Sequence, residues 1–200
     1  MKNAIRILLF LFLVNVLFMP VSAQNNPGKV KLSANFDQLL TESQNYIREG
    51  LYKQAQNSLL QILKTARTPQ AKMTATFKLA EVEANLGDLS RAYDYYNQSL
   101  MLAKEIGDGK TAEFCQKSME IINLYNEAKK LRQDNRSEEA INIFDKTISY
   151  CDVIKNDVLK CKALRQQSYA YLSLNKLNEF LKINMKANEI AKKLNNLAEI

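Results

Sequence analysis

Residues 76–100, TFKLAEVEANLGDLSRAYDYYNQSL, constrain the fold more than any other stretch of the chain. Small and apolar residues recur at helical spacing on both sides of Gly87-Asp88, which indicates two amphipathic helices joined by a tight turn. A glycine ends the first helix, where a left-handed backbone costs little, and Asp88 is suited to cap the second helix. Because one hairpin cannot bury its own apolar face, a chain built from such hairpins must stack several of them.

The hairpin pattern recurs four times. A six-residue motif spans each turn and the start of the second helix, and a small residue lies twelve positions before its last residue. The motifs are GLYKQA (50–55), GDLSRA (87–92), NRSEEA (135–140) and NKLNEF (175–180). The small residues are Ser43, Ala80, Ala128 and Ser168. Large residues follow the first three motifs by four positions, namely Leu59, Tyr96 and Phe144. Small residues allow helices to cross closely and large ones fill the space between hairpins, so the pattern predicts a stack.

The composition also favours helices. Only 5 Gly and 3 Pro occur among 200 residues, whereas good helix formers are frequent. Thr68-Pro69 is a typical helix start, with a hydroxyl cap and a proline in the first turn. We therefore expect an all-α fold with eight helices, at residues 34–49, 52–66, 69–86, 89–106, 110–133, 137–154, 157–174 and 177–194.

This pattern resembles the tetratricopeptide repeat, and residues 73–103 match it best. The motifs recur at intervals of 37, 48 and 40 residues, longer than the usual spacing of about 34, which resembles the extended variety of about 40. The resemblance implies a right-handed α-α superhelix, a solenoid of about four helical hairpins. The predicted units are residues 34–68, 69–109, 110–156 and 157–197.

The end of the sequence predicts the beginning of a fifth unit. Asn195-Asn196 falls where Gly107-Asp108 makes a turn in the second unit, so residues 198–200 would start another helix. Solenoids normally finish with a polar capping helix over the last apolar face, and this pattern provides none. Two interpretations follow: the sequence belongs to a longer protein, or a partner covers the last hairpin.

Residues 1–23 are typical of a secretory signal peptide. Lys2 and Arg6 precede an apolar run from Ile7 to Met19, and Val21-Ser22-Ala23 offers a small-residue cleavage site. The alternative is a membrane anchor, but this run is shorter than the ~20 residues that a spanning helix needs. We expect a mature chain without a stable membrane span, a flexible lead-in at residues 24–33, and a periplasmic or secreted location.

Catalytic, cofactor and metal chemistry have little support. The chain contains no histidine, no glycine-rich phosphate loop, no metal-ligand cluster and no nucleophile motif, so we do not expect an enzyme, a cofactor or a metal. The net charge of +7 falls to +5 without Lys2 and Arg6, and no basic cluster stands out. We therefore expect no nucleic-acid binding by this chain.

The three cysteines, Cys115, Cys151 and Cys161, are too few for a disulfide framework. Cys151 and Cys161 flank a predicted turn between antiparallel helices, which is compatible with a disulfide in an oxidising compartment. The alternative is that both are small buried thiols in the core. Cys115 is expected in the core.

The family resemblance implies that the first helix of each hairpin lines a concave groove. Aromatic and basic side chains on these helices suit an extended peptide of acidic character. The candidate groove residues are Gln44, Arg48, Phe77, Glu81, Tyr125, Lys129, Arg132, Arg165 and Tyr169. The alternative for each is a solvated helix face on which the aromatic rings are partly packed.

The sequence thus predicts an exported, non-catalytic scaffold that binds a protein or peptide partner. A second hypothesis, by analogy with exported extended repeats, is the N-terminal periplasmic sensory part of a membrane-bound signalling protein, such as a histidine kinase or a DNA-binding regulator. A third is self-association through the uncapped C-terminal hairpin, which predicts a concentration-dependent dimer.

Overall fold

A computed structural model describes the backbone of residues 27–198 and the side chains of residues 35–194. This part of the chain is helical with short connections. Its eight helices are α1 (Pro27–Arg48), α2 (Tyr52–Thr65), α3 (Pro69–Leu86), α4 (Leu89–Ile106), α5 (Gly109–Gln133), α6 (Ser137–Ile154), α7 (Asp157–Ser173) and α8 (Leu177–Ala198). The predicted signal peptide at residues 1–23 lies outside the described residues.

The helix boundaries agree with the predicted ones except at the two ends. Helix α1 begins at Pro27, where a lead-in was predicted, because proline is well tolerated in a first helical turn. Helix α8 continues through the predicted turn at Asn195-Asn196 to Ala198. Two asparagines without a glycine cost a helix less than breaking it does. Residues 199–200, which belong to the predicted fifth unit, lie outside the described residues.

The helix ends follow the chemistry read from the sequence. The Thr68 side chain accepts a hydrogen bond from the Ala71 amide, and Asp88 accepts one from the Arg91 amide. Gly87 ends α3 with a left-handed backbone at φ +87°. These contacts satisfy amide groups that have no partner within their own helix.

The chain divides into two compact units. Of the first, Met1–Asn35, the structure describes residues 27–35, which are helical. In the second, Phe36–Ile200, consecutive helices from α2 to α8 pack against each other in chain order. We name the pairs α1–α2, α3–α4, α5–α6 and α7–α8 hairpins 1 to 4. This order of packing fits a tetratricopeptide-like repeat.

The small and large positions of the repeat form the core, as predicted. All four small residues of the pattern are buried. The large residues Leu59, Tyr96 and Phe144 are also buried and fill the space beside α3, α5 and α7. Because the small position is buried in all four hairpins and the large position in the first three, residues at equal distances from the small residue are structurally equivalent.

A contact also joins two hairpins that are not neighbours in the chain. Helices α3 and α7 touch directly, although hairpin 3 lies between them in the chain. The same apolar cluster contains Ala80 and Ala84 of α3 and Leu159 and Ala163 of α7. Alanine side chains let helices approach closely, which explains why this contact forms at these positions.

Candidate functional site

On α3, the candidate residue Phe77 is part of an aromatic cluster between hairpins 2 and 3. Its ring centroid lies 5.3 Å from that of Phe114 on α5 and 6.3 Å from that of Tyr96 on α4, both edge-to-face. Burial raises the pKa of the Tyr96 hydroxyl well above its ordinary value. Phe77 therefore packs between helices of hairpins 2 and 3.

Glu81, the other candidate on α3, is engaged on its own helix. Its carboxylate lies 2.7 Å from the ammonium of Lys78, which sits 5.4 Å from the centre of the Phe77 ring. Both charged side chains are partly exposed, so this pair contributes little to stability. The Glu81 side chain remains 29% exposed.

The candidates on α5 divide between core and surface. Tyr125 is buried and packs edge-to-face on Phe144, with centroids 6.3 Å apart, and burial raises its pKa. Arg132 donates a hydrogen bond from Nε to Oε1 of Gln166 on α7, 3.1 Å away. Lys129 is exposed. Of these three residues, Lys129 is the charged one for which the described chain shows neither a side-chain hydrogen bond nor an ion pair.

The remaining candidates lie on α1 and α7. Gln44 is partly buried and Arg48 is exposed. Arg165 and Tyr169 are exposed on α7, and half of the Tyr169 surface, 50%, is accessible. The structure therefore leaves four candidates well exposed, namely Arg48, Lys129, Arg165 and Tyr169.

A buried carboxylate between hairpins 1 and 2 was missed by sequence reasoning. Glu83 on α3 is 1% exposed and accepts a hydrogen bond of 2.5 Å from Nε2 of Gln56 on α2. Arg91 on α4 approaches it to 3.5 Å. The sequence did offer one signal of a buried carboxylate, namely a glutamate directly between the apolar residues Val82 and Ala84. With these partners the carboxylate is satisfied, so it holds three helices together.

A second buried polar contact joins hairpins 3 and 4. Gln167 on α7 is 1% exposed and donates from Nε2 to Oδ1 of Asp145 at 2.6 Å and to the Ile141 carbonyl at 3.4 Å. A third contact links Lys162 to the Gly87 carbonyl at 3.4 Å. Neither the Gln167 contacts nor the Lys162 contact could be predicted from the local sequence, because the partners are far apart in the chain.

The cysteines are three free, buried thiols. Cys151 belongs to the apolar cluster around Phe144, whereas Cys161 packs beside Leu164 and Ala187 and donates from Sγ to the Ala187 carbonyl at 3.3 Å. Burial raises the pKa of the Cys151 thiol to about 12. The disulfide between Cys151 and Cys161 considered from the sequence is thus not formed in this structure, because each thiol packs in a different cluster.

The described part of the chain contains neither a metal-ligand cluster nor a membrane-spanning helix. No group of three or more Cys, Asp or Glu side chains in residues 35–194 is arranged to hold a metal ion. No helix in this part of the chain combines the length and apolarity needed to cross a membrane.

Comparison with models of protein families finds no match. The chain is similar to the photosystem I assembly protein Ycf3 of Rippkaea orientalis, with 26% identity over 102 residues. The aligned region is 51% of this chain and 55% of that protein, so the chain spans about half the length of the curated relative it matches. Similarity to an assembly protein is consistent with a protein-interaction scaffold.

Proposed function

We propose that this chain is an exported, non-catalytic scaffold that binds a protein partner through the exposed surface of its first helices. The observation that carries the proposal is the exposure of Arg48, Lys129, Arg165 and Tyr169 on α1, α5 and α7. The buried side chains of Glu83 and Gln167, by contrast, form hydrogen bonds between hairpins. An uncovered set of three cations and one aromatic ring favours an acidic partner.

The proposed architecture is the extended tetratricopeptide-like variety, a right-handed superhelix whose first helices line the binding groove. The partner is an extended segment of acidic character. Long-range attraction to the cations accelerates its encounter, and the exposed Tyr169 ring supplies apolar contact area. The similarity to an assembly protein supports a protein partner rather than a small molecule.

Charge reversal tests this proposal. A labelled, proline-containing acidic peptide is titrated with the full chain and with Lys129→Glu, and binding is followed by fluorescence anisotropy. We expect Lys129→Glu to weaken binding about tenfold, mainly through the association rate. The matched control is Lys146→Glu, because Lys146 is exposed on the second helix of the same hairpin. If the two charge reversals weakened binding equally, the peptide would be held only by unspecific electrostatic attraction, and the proposal that it binds in the groove would be refuted.

Export is tested separately. Residues 1–23 are fused to a reporter that is active only outside the cytoplasm, and the processed native chain is analysed by mass spectrometry. We expect an active reporter and a mature N-terminus at Gln24. An inactive reporter, or a chain that retains residues 1–23 in the membrane, would contradict the proposal in favour of a cytoplasmic or anchored protein.

A further inference from the structure

The first helices of hairpins 2 and 4 lie against each other. Cα atoms of α3 and α7 come within 8 Å, although a whole hairpin separates the two helices in the chain. Helices that pack directly have axes about 8–10 Å apart, and a layer of extended backbone adds roughly 10 Å when side chains fill the space around it. No extended segment therefore fits between α3 and α7 where they touch.

The repeat register identifies which positions of a first helix face the proposed groove. The positions six and three before the small residue, and one and four after it, lie on one side of a helix because they are three or four residues apart. We name these positions the groove stripe. It includes most of the candidate groove residues, for example Phe77 three before Ala80 and Lys129 one after Ala128.

Apolar residues of the groove stripe are buried on hairpins 2 and 3. Ala84 on α3 is 3% exposed, and Ile122 and Tyr125 on α5 are 2% and 8% exposed. These three residues share one apolar cluster with Leu159 and Ala163 of α7, which are also buried. The start of α7 thus belongs to the core that covers this part of the stripe, where an open groove would leave it accessible.

A polar contact completes the junction of α3 and α7. Lys162, on the groove stripe of α7, donates a hydrogen bond from its ammonium to the Gly87 carbonyl at the end of α3, 3.4 Å away. The approach is close, because a Cβ at position 87 would lie 2.5 Å from that ammonium. We name the junction the closing contact, with Ala84 and Gly87 on one side and Leu159, Lys162 and Ala163 on the other.

The closing contact can open without the unfolding of a hairpin. Helix α3 packs on α2 and α4, and α7 packs on α6 and α8, so each helix keeps these neighbours when the two separate. The polar part is one hydrogen bond to a neutral carbonyl, which water can replace. The apolar part includes two alanines, which bury little surface compared with larger side chains. Opening is therefore a movement of folded hairpins.

We propose that the closing contact is autoinhibitory: it closes the groove between hairpins 2 and 4, and a partner segment reaches the apolar part of the groove stripe only when α3 and α7 separate. The proposal rests on the proposed function, because it concerns regulation of the same groove. The exposed Lys129 and Arg165 meet an acidic segment first. Closure and binding then compete, and the apparent Kd is the intrinsic Kd divided by the open fraction.

Removal of the Lys162 ammonium tests this proposal by the sign of its effect. Lys162→Ala takes one cation from the groove, which by itself weakens the binding of an acidic peptide. If Lys162 instead holds the groove closed, its loss raises the open fraction and strengthens binding. We expect the labelled, proline-containing acidic peptide to bind Lys162→Ala about threefold to tenfold more tightly than the native chain in fluorescence anisotropy.

The matched control is Lys160→Ala, two positions earlier on α7. It removes the same charge, but the Lys160 ammonium pairs with Asp152 on α6 instead of reaching α3. We expect Lys160→Ala to bind the peptide no more tightly than the native chain. Tighter binding by both variants, or equal or weaker binding by Lys162→Ala, would overturn the proposal.

A distance measurement tests the closing contact without any peptide. Spin labels are attached at Ser90→Cys on α4 and Asp157→Cys on α7, both exposed positions, in a brief reaction that spares the buried native cysteines. We expect Lys162→Ala to add a second distance, longer by at least about 5 Å, the width of one extended strand, in double electron–electron resonance. An unchanged distance distribution would overturn the proposal.

The two measurements distinguish failure of this proposal from failure of the groove. A longer distance without tighter binding would show that the contact opens but does not inhibit, which overturns autoinhibition, and the comparison of Lys129→Glu with Lys146→Glu would still decide the groove. Equal effects of those two charge reversals would refute the groove and, with it, autoinhibition.

Discussion

Lys162 on α7 donates a hydrogen bond from its ammonium to the carbonyl oxygen of Gly87, 75 positions earlier in the chain. Gly87 ends α3, where the last carbonyl groups have no partner inside the helix and carry partial negative charge. The contact therefore satisfies an acceptor and places a cation where the helix dipole favours one. It is one of the contacts through which hairpins 2 and 4 meet.

The first prediction concerns Gly87→Ala. The residue has φ +87°, and an added Cβ would come within 2.5 Å of the Lys162 ammonium. We expect the change to lower the free energy of unfolding by about 1 kcal/mol for the left-handed backbone and by about 0.5–1 kcal/mol more for the displaced hydrogen bond. Urea unfolding followed by circular dichroism measures the sum.

Gly107→Ala is the control for the backbone effect. Gly107 also ends a helix with a left-handed backbone, φ +78°, but nothing lies within 4 Å of its added Cβ. In a Lys162→Ala background, which removes both the ammonium and the Cε near the added Cβ, the two alanine substitutions should cost the same. Equal costs already in the native background would show that the Lys162 contact contributes nothing.

The second prediction concerns the buried carboxylate. Glu83→Ala removes the acceptor for Gln56 and leaves a buried amide without a partner. We expect a loss of about 2–3 kcal/mol in the free energy of unfolding. Glu113→Ala, which removes an exposed carboxylate beside Lys117, should leave the stability unchanged. A negligible effect of Glu83→Ala would mean that the Gln56 contact is dispensable.

The third prediction separates packing from binding at two candidate residues. Phe77→Ala removes the centre of the aromatic cluster with Tyr96 and Phe114 and should cost about 2–3 kcal/mol of stability. Tyr169→Ala, at an exposed position, should change stability by less than about 0.5 kcal/mol. Thermal unfolding of both variants checks this. If Phe77→Ala unfolded like the native chain, Phe77 would be a surface residue after all.

The fourth prediction is a pH dependence at a helix start. Asp108 accepts hydrogen bonds from the amide and hydroxyl of Thr111, and these hold the pKa of its carboxyl below the ordinary value of 3.8. Since the folded-state pKa is lowered, the stabilisation is present above the unfolded-state pKa and is lost as the pH falls through the folded-state value. We therefore expect the stability advantage of the native chain over Asp108→Asn to shrink in acid. Asp94→Asn, at an exposed position within α4, serves as the control for the loss of one carboxylate away from a helix start.

The fifth prediction concerns the thiols. Because burial raises the pKa of Cys151 to about 12, little thiolate exists at neutral pH, and alkylation of the folded chain should be slow. In denaturant without reductant, all three cysteines should react. Mass spectrometry after alkylation counts them. A single reactive thiol would instead indicate that Cys151 and Cys161 are bonded in the isolated protein.

Most of the fold could be predicted because its determinants are local. The turn at Gly87-Asp88, the cap at Thr68 and the small residues at fixed offsets each act through neighbours one or two helical turns away. The ends of the described chain were harder to predict. Pro27 is compatible with both a lead-in and a first helical turn, and Asn195-Asn196 is compatible with both a turn and a helix.

The candidate surface was predicted less well because periodicity does not identify the neighbour that covers a helix face. Phe77 and Tyr125 satisfy the same spacing as Arg165, yet the first two pack against other aromatic rings. Which face of a first helix remains open depends on the angle between successive hairpins, and no local motif encodes that angle. Glu83 was missed for the same reason, since its partner Gln56 lies on another hairpin.

The direct contact between α3 and α7 changes how this repeat array should respond to damage. An array in which each unit touches only its neighbours behaves like a one-dimensional chain, in which stability is a sum of unit and nearest-neighbour terms and folding can begin at any unit. A contact that skips hairpin 3 adds a next-nearest-neighbour coupling. Hairpins 2 to 4 should therefore open together, as one cooperative block, and removal of hairpin 3 would leave its two neighbours without the geometry in which they meet.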